Sequence, residues 1–463
     1  MPPGANDRPP AAHDQQQAAD DRQQVVDDQQ KSDADRQQTD ADRHTADAGR
    51  HTADDGRPRA DASRPPVDGD QRETNDFMVT PYAVTGDVDY ERLLERFGAD
   101  ALTAETIDRF PDPVHPLVRR SVFYAERDVD RFLDAATNGA PHAIVTGRGP
   151  SGPMHLGHAV PFYFAKHLQA QTGCTVYVPF SDDEKYVLKD ASLAEISDHT
   201  RENLRDVLAV GFDPDRTRIV IDTADADVVY PIAIAFAKTL TQSTIDATYG
   251  DPQNVGLSFY PAVQTAHLLL PQLVDGRQPT LVPIAIDQDP HVRVCRDVAG
   301  KRRYDVEKPG ALLSKFLPRL DGPGKMSSSD DGASILLTDD RETVFETIRT
   351  HAYSGGRASV EAHRAHGGDP DADVSFQLLH AFFEESDERV ERVAHEYRDG
   401  SLLSGELKEI AASKIADFLE AHQERRERLG SLEEELEPYR LTADERRRAL
   451  RRVGYPDDAL VLG

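Results

Sequence analysis

Apolar residues recur along this chain at two different periods, and the way the periods alternate lays out an architecture. Short apolar runs at 143–145, 175–180, 218–221 and 280–286 predict buried strands. Between them, 156–172, 193–210 and 228–240 carry apolar residues at helical spacing. Such alternation predicts an α/β domain over 141–340, a parallel sheet with right-handed crossovers. A last strand is expected at 334–337. Upstream, 76–140 predicts a mainly helical segment: 77–84 reads as extended with a break at Pro81, and helices follow at 88–97, 104–110 and 127–137. Downstream, 341–463 predicts an all-helical domain, with candidates at 374–384, 387–397, 404–428 and 443–453.

Residues 1–75 follow neither period. They are built from Asp, Gln, Arg, Ala and Pro, with a seven-residue recurrence that sets Arg36, Arg43, Arg50 and Arg57 in register. No apolar residue repeats at two positions per heptad, so there is no coiled-coil seam. A segment with so little apolar surface cannot offset its ordering entropy, and 1–75 is expected to be a disordered acidic tail. It serves either as a functional tether or as a neutral repeat expansion.

Composition changes the picture in three ways. A length of 463 residues allows roughly two or three domains with a sizeable core. The formal net charge of −29 argues against a polyanionic partner at first sight. However, Arg far outnumbers Lys, and that balance with abundant Asp and Glu is similar to proteins from salt-saturated cytoplasm, where acidic surface maintains solubility and salt screens long-range repulsion. Only Cys174 and Cys295 occur, which fits a reducing compartment and excludes a disulfide framework or a zinc cluster. No apolar run approaches the ~18 residues of a membrane span, and the N-terminus lacks a hydrophobic signal region, so a cytoplasmic protein is expected.

The chemistry is concentrated in two separated segments. Met154-His155-Leu156-Gly157-His158 sits where the strand at 143–145 turns through Thr146-Gly147-Arg148-Gly149-Pro150-Ser151-Gly152 into a helix. Lys325-Met326-Ser327-Ser328-Ser329 lies far downstream in a Gly/Pro/Ser loop. Two imidazoles beside the free N–H groups of a helix start can donate to phosphoryl oxygens from two directions. Gly157, without a Cβ, lets a flat base lie against the backbone. Lys325 is a mobile point charge for a leaving pyrophosphate, and the three hydroxyls add short-range donors on a loop able to close. Together these residue types suit holding a nucleoside triphosphate while its α-phosphate is attacked.

From about Asp76 to about Arg428 the chain resembles the class I aminoacyl-tRNA synthetases, and within them the tryptophanyl branch of archaeal and eukaryotic type. The resemblance rests on the two boxes above and on Thr146 to Ser151, Asp182 to Tyr186 (DDEKY), Phe259 to Gln264 (FYPAVQ), Ala285 to Pro290 (AIDQDP), Ser354 to Arg357 (SGGR) and Ser404 to Lys408 (SGELK). It implies a Rossmann-like catalytic domain and a helical anticodon-binding domain. The implied substrates are ATP, with Mg²⁺, tryptophan and tRNA(Trp), and the implied assembly is a homodimer. By resemblance His155, His158 and Lys325 carry catalysis, while Arg148, Gly157, Asp287 and Met326 to Ser329 hold ATP. Glu184, Gln264 and Gln288 would receive the amino acid, and Arg357 would touch tRNA.

Three positions depart from the branch. It places a Tyr and a Gln, both reaching the indole N–H, where this chain has Val145 and Pro179. An indole N–H buried without a partner costs on the order of 1–3 kcal/mol. The branch also follows SGGR with Asp, where Ala358 stands here. Three readings follow: an ATP-dependent tryptophan–tRNA ligase; a divergent copy that activates another aromatic amino acid or has lost tRNA charging; and a nucleotide-binding protein without catalysis. At the C-terminal end, Arg446, Arg447, Arg448, Arg451 and Arg452 form either a solvated helix face or a tRNA contact.

Overall fold

The computed structural model describes residues 78–79, 84–85, 90–325 and 334–457. The expectations for 1–75, and for Met326 to Ser329, lie outside the described residues. A small antiparallel pair, β1 (Met78–Val79) and β2 (Val84–Thr85), precedes the main sheet. Among the described residues no helix is long and apolar enough to cross a membrane.

The sheet has seven strands: β3 (Asp100–Ala101), β4 (Phe123–Arg127), β5 (Ala143–Val145), β6 (Thr175–Phe180), β7 (Thr217–Ile221), β8 (Thr280–Ala285) and β9 (Gly310–Ser314). Their order across it is β3-β4-β9-β8-β5-β6-β7. The five strands β9-β8-β5-β6-β7 are parallel, as the alternation predicts, and β4 and β3 add an antiparallel edge. β5 and β8 are neighbours, yet the chain leaves β5 toward β6 and β7 and leaves β8 toward β9. The strand order therefore reverses between β5 and β8, and that is where parallel sheets open a crevice.

Two of these strands have no clear signal in the residue pattern. β4 (FYAER) carries Glu126 and Arg127 and buries only alternate residues, so the expected helical segment 76–140 contributes a strand to the catalytic sheet. β9 (GALLS) is short and begins with Gly310. The expected strand at 334–337 is not a strand. Only Leu336 bridges, to His155, while Leu156 N–H donates to the Ile335 carbonyl (3.1 Å) and Leu337 N–H to that of Met154 (2.9 Å). A single bridge is all that the turn into the helix leaves room for.

Helices cover both faces. On one side lie α1 (Leu156–Thr172), α2 (Leu193–Val210) and C-terminal helices including α5 (Ser404–Glu427). On the other pack α3 (Val255–Asp275), α4 (Asp289–Gly300) and α6 (Ala443–Arg452). α3 was not anticipated. Pro261 and Pro271 interrupt its pattern, and it is buried around most of its circumference, which erases the polar face that helical periodicity relies on.

The C-terminal arginines divide between two environments: Arg447 and Arg451 are exposed, as a solvated helix face would have them, while Arg446, Arg448 and Arg452 reach the neighbouring helices. Arg446 pairs with Asp225 and, at 2.6 Å, with Asp227. Arg448 and Arg452 donate to the Val274 and Leu273 carbonyls (3.0 and 2.8 Å) at the end of α3. Cations on the last carbonyls of a helix oppose its dipole. Arg447 and Arg451 pair with Asp444 and Asp457. Arg446, Arg448 and Arg452 fasten the last helix to the helical layer on that face of the sheet.

Candidate active site

At the switch between β5 and β8 the strand ends open a cavity of about 360 Å³. That volume falls in the range of small-molecule sites. From the phosphate-chemistry group His155, Gly157, His158, Arg148 and Asp287 line it. From the amino-acid group Val145, Pro179, Glu184, Gln264 and Gln288 line the same cavity. Residues scattered over nearly 150 positions are thus brought to one place by the ends of β5, β6 and β8.

His155 is the N-cap of α1, and the two imidazoles form a reciprocal capping box. Gly157 N–H donates to His155 Nδ1 (3.1 Å), and His155 N–H donates to His158 Nδ1 (3.3 Å). The rings stack with centroids 3.5 Å apart. Because each Nδ1 accepts from the backbone, the ring proton of each neutral imidazole sits on Nε2. The cap therefore fixes a tautomer with two Nε2–H donors at a helix N-terminus.

The Thr146–Gly152 loop runs beside the end of β6: Arg148 N–H donates to the Pro179 carbonyl (2.9 Å), and Ser181 N–H to that of Arg148 (3.0 Å). Gly147 is required by this approach, since a Cβ there would lie 2.7 Å from the Pro179 carbonyl oxygen. Arg148 donates through Nε to Asn203 (2.9 Å), and its Nη2 is buried without a partner among the described residues. Burial lowers this guanidinium to about 10, with the Glu184 carboxylate opposing the shift.

Glu184 lies in the helical turn Asp182–Leu188, is buried, and is paired with Lys185. Across the cavity Tyr260 O–H reaches the Gln264 Oε1 (2.7 Å) and Ser181 Oγ (2.8 Å), donating to one of them at a time. Gln288 Nε2 donates to Asp287 Oδ2 at 3.0 Å. Asp289, the second acid of the AIDQDP segment, turns away from the cavity. It is fully buried and accepts a two-pronged contact from Arg127 of β4 (2.7 and 2.8 Å). Arg127 also donates to the carbonyls of Phe97 and Gly98, both at 2.7 Å.

Behind Glu184 lies a group that residue spacing did not reveal. The carboxylates of Asp182, Asp183 and Asp222 approach within 4.8 Å of one another, and His267 Nε2 and Asp222 Oδ1 are joined by a hydrogen bond of 2.6 Å. Burial, then the neighbouring Asp222, pushes Asp183 up to about 7, and burial holds Asp222 well above the carboxylate range. The closeness of these buried acids holds Asp183 toward its protonated form. A raised folded-state value means that the native state binds the extra proton. The stabilisation is complete below about 4 and is lost as pH rises through about 7. Asp183→Asn is expected to remove that dependence. The wild type should lose more thermal stability than the variant between pH 5 and 8, and parallel melting curves for the two proteins would contradict a raised Asp183.

Lys325 is the last residue of β11 (Gly322–Lys325), paired through its backbone with Pro318 of β10 (Pro318–Arg319), not a loop residue. Met326 to Ser329 lie outside the described residues. The chain that follows returns as 334–337 onto Met154 to Leu156, beside the histidines. Arg357 is exposed, donating to the Gly367 carbonyl (2.9 Å) in the C-terminal domain. Conversely, Lys185, Tyr260, His291 and Lys315 line the cavity although sequence reasoning did not assign them to it.

A family model described as tRNA synthetases class I (W and Y) matches residues 137–420. The chain belongs to this family. Among relatives of this synthetase, the Tryptophan–tRNA ligase 2 of Halobacterium salinarum is 64% identical over 81% of this chain and 98% of its own length. The Tryptophan–tRNA ligase of Sulfolobus acidocaldarius is 43% identical over 77% of this chain and 94% of its own. Among solved structures, the tryptophanyl-tRNA synthetase from Giardia lamblia is similar with a TM-score of 0.71 and 34% identity, covering 77% of this chain and 96% of that one. The parallel sheet with its switch point is therefore the Rossmann-like sheet of a class I synthetase.

Proposed function

We infer that this synthetase is a tryptophan–tRNA ligase. It joins tryptophan to ATP as tryptophanyl-adenylate with release of pyrophosphate, then passes the acyl group to tRNA(Trp). The observation that carries this reading is the convergence, in one cavity, of a tautomer-fixed histidine pair with the buried Glu184, in a chain so similar to named tryptophan–tRNA ligases. In the first step the tryptophan carboxylate attacks the α-phosphorus. His155 and His158 donate through Nε2 to the oxygens on which charge builds. Arg148, with an open buried N–H, adds a fixed donor, and Gly157 admits the adenine face. Asp287 accepts from the ribose, while Glu184, Gln264 and Gln288 orient the ammonium and carboxylate. Lys325 and Met326 to Ser329 close on the β- and γ-phosphates, a role supported by the return of the following segment onto the histidine box.

Mg²⁺ would be held by the triphosphate itself and would supply charge neutralisation there. The carboxylates of Asp182, Asp183 and Asp222 do not suit it, since they are engaged by Thr223, the Glu184 N–H, Tyr230 and His267. Val145 and Pro179 form the apolar wall for the indole. The alternative they raise, another aromatic substrate or lost charging, gains no support from relatives that are named as tryptophan–tRNA ligases. A homodimer with Arg357 on tRNA, working in the cytoplasm, completes the reading. Its test is aminoacylation of purified tRNA: charging of tRNA(Trp) with tryptophan is expected, and charging with tyrosine or phenylalanine instead would overturn it.

A further inference from the structure

We propose that Lys185 is an exchangeable counter-ion that couples the two substrates: its ammonium holds Glu184 until the amino acid's ammonium takes that place, and is then released to the phosphates of ATP. The proposal rests on the assignment of Glu184 to the amino-acid ammonium. Lys185 and Glu184 are consecutive residues of one helical turn, and consecutive helical side chains do not face each other. Their pairing bends Lys185 back over the cavity edge, where its side chain is 18% exposed and that of Glu184 7%. The stem passes so close to the Thr146–Gly152 loop that a Cβ on Gly149 would lie 2.0 Å from its Cε.

A pair so enclosed cannot simply open, because each charge would be left buried and alone. Exchange avoids this if both charges find new partners in the same cavity. A substrate ammonium brought to Glu184 meets Lys185 already there, with Arg148 also close to Glu184, so three cations would crowd one carboxylate. Releasing Lys185 relieves that repulsion and sends a cation to the wall shared with His155, His158 and Arg148. There an α-phosphate accepts it. Occupancy by amino acid then strengthens ATP binding, and by linkage ATP strengthens amino-acid binding by the same factor.

The experiment measures tryptophan affinity of the full chain by calorimetry, with and without α,β-methylene-ATP. The wild type should show a coupling factor of about 5–50. Lys185→Met should bind tryptophan about 3–10-fold more tightly without nucleotide, and its coupling factor should fall to near one. Lys185→Arg should restore coupling in part. Gly149→Ala, which displaces the Lys185 stem and keeps its charge, should tighten tryptophan binding in the same direction. Lys185→Met binding tryptophan no more tightly, or retaining the wild-type coupling factor, while Glu184→Gln weakens binding, overturns the exchange alone. Glu184→Gln leaving tryptophan affinity unchanged overturns the Glu184 assignment and the exchange together.

Discussion

His158→Ala is expected to slow tryptophan-dependent pyrophosphate exchange by about 10²–10³-fold, the usual loss when one fixed donor to transition-state charge is removed. Tryptophan affinity measured without ATP should change less than about threefold, because the donor acts on phosphate. The side chain has a second role: its Nδ1 accepts the His155 N–H, and losing a cap costs about 1 kcal/mol. His158→Asn separates the roles. Its amide oxygen can keep the cap, so stability returns, while the Nε2–H position is still lost and exchange stays slow. Exchange within about tenfold of wild type in both variants would show that the imidazole serves the helix and not the reaction.

The second large effect is on folding. Asp289→Ala leaves the Arg127 guanidinium buried without its carboxylate, and breaking a buried ion pair from one side costs about 3–5 kcal/mol. Thermal unfolding should shift down by roughly 5–10 °C. The apparent KM for ATP should rise as well, since Asp289 follows Asp287 and Gln288 directly and anchors them to β4. Arg127→Met combined with Asp289→Leu should recover part of the stability, because the buried pair is removed from both sides and only the partly exposed Arg293 loses a partner. An unchanged melting temperature in Asp289→Ala would mean that the pair is dispensable and that β4 is held by other contacts.

Both effects bear on what the residue pattern could disclose. His155, Gly157, His158 and Arg148 were legible because their chemistry is local: a cap, a glycine-rich turn and a helix start are contiguous in the chain. β5, β6 and β8 were legible because each is a short, mainly buried apolar run. β4 was not, since a sheet edge tolerates Glu126, and Arg127 is buried only by a partner 162 residues away. Asp222 and His267 meet for the same reason, 45 residues apart, and nothing in their flanking residues marks them. Tyr260 carried a weaker signal, four residues before Gln264 on one helix and therefore on its face. Lys185 stood in plain view beside Glu184, where a charge run reads as solvated until the fold encloses it.

Glu184, Gln264 and Gln288 took their roles from resemblance, and the fold adds their shared cavity. Val145 is 1% exposed and Pro179 lies beside Gly147, so the cavity wall is apolar and tight at these two positions. Discrimination against other aromatic amino acids then depends on shape and on groups such as Gln264.

Amino-acid-dependent pyrophosphate exchange with each of the twenty amino acids, at high salt and with Mg²⁺-ATP, probes the shared cavity most directly. Exchange with tryptophan, and at least about 100-fold less with tyrosine and phenylalanine, is expected. No exchange with any amino acid, or a clear preference for one other than tryptophan, would contradict it.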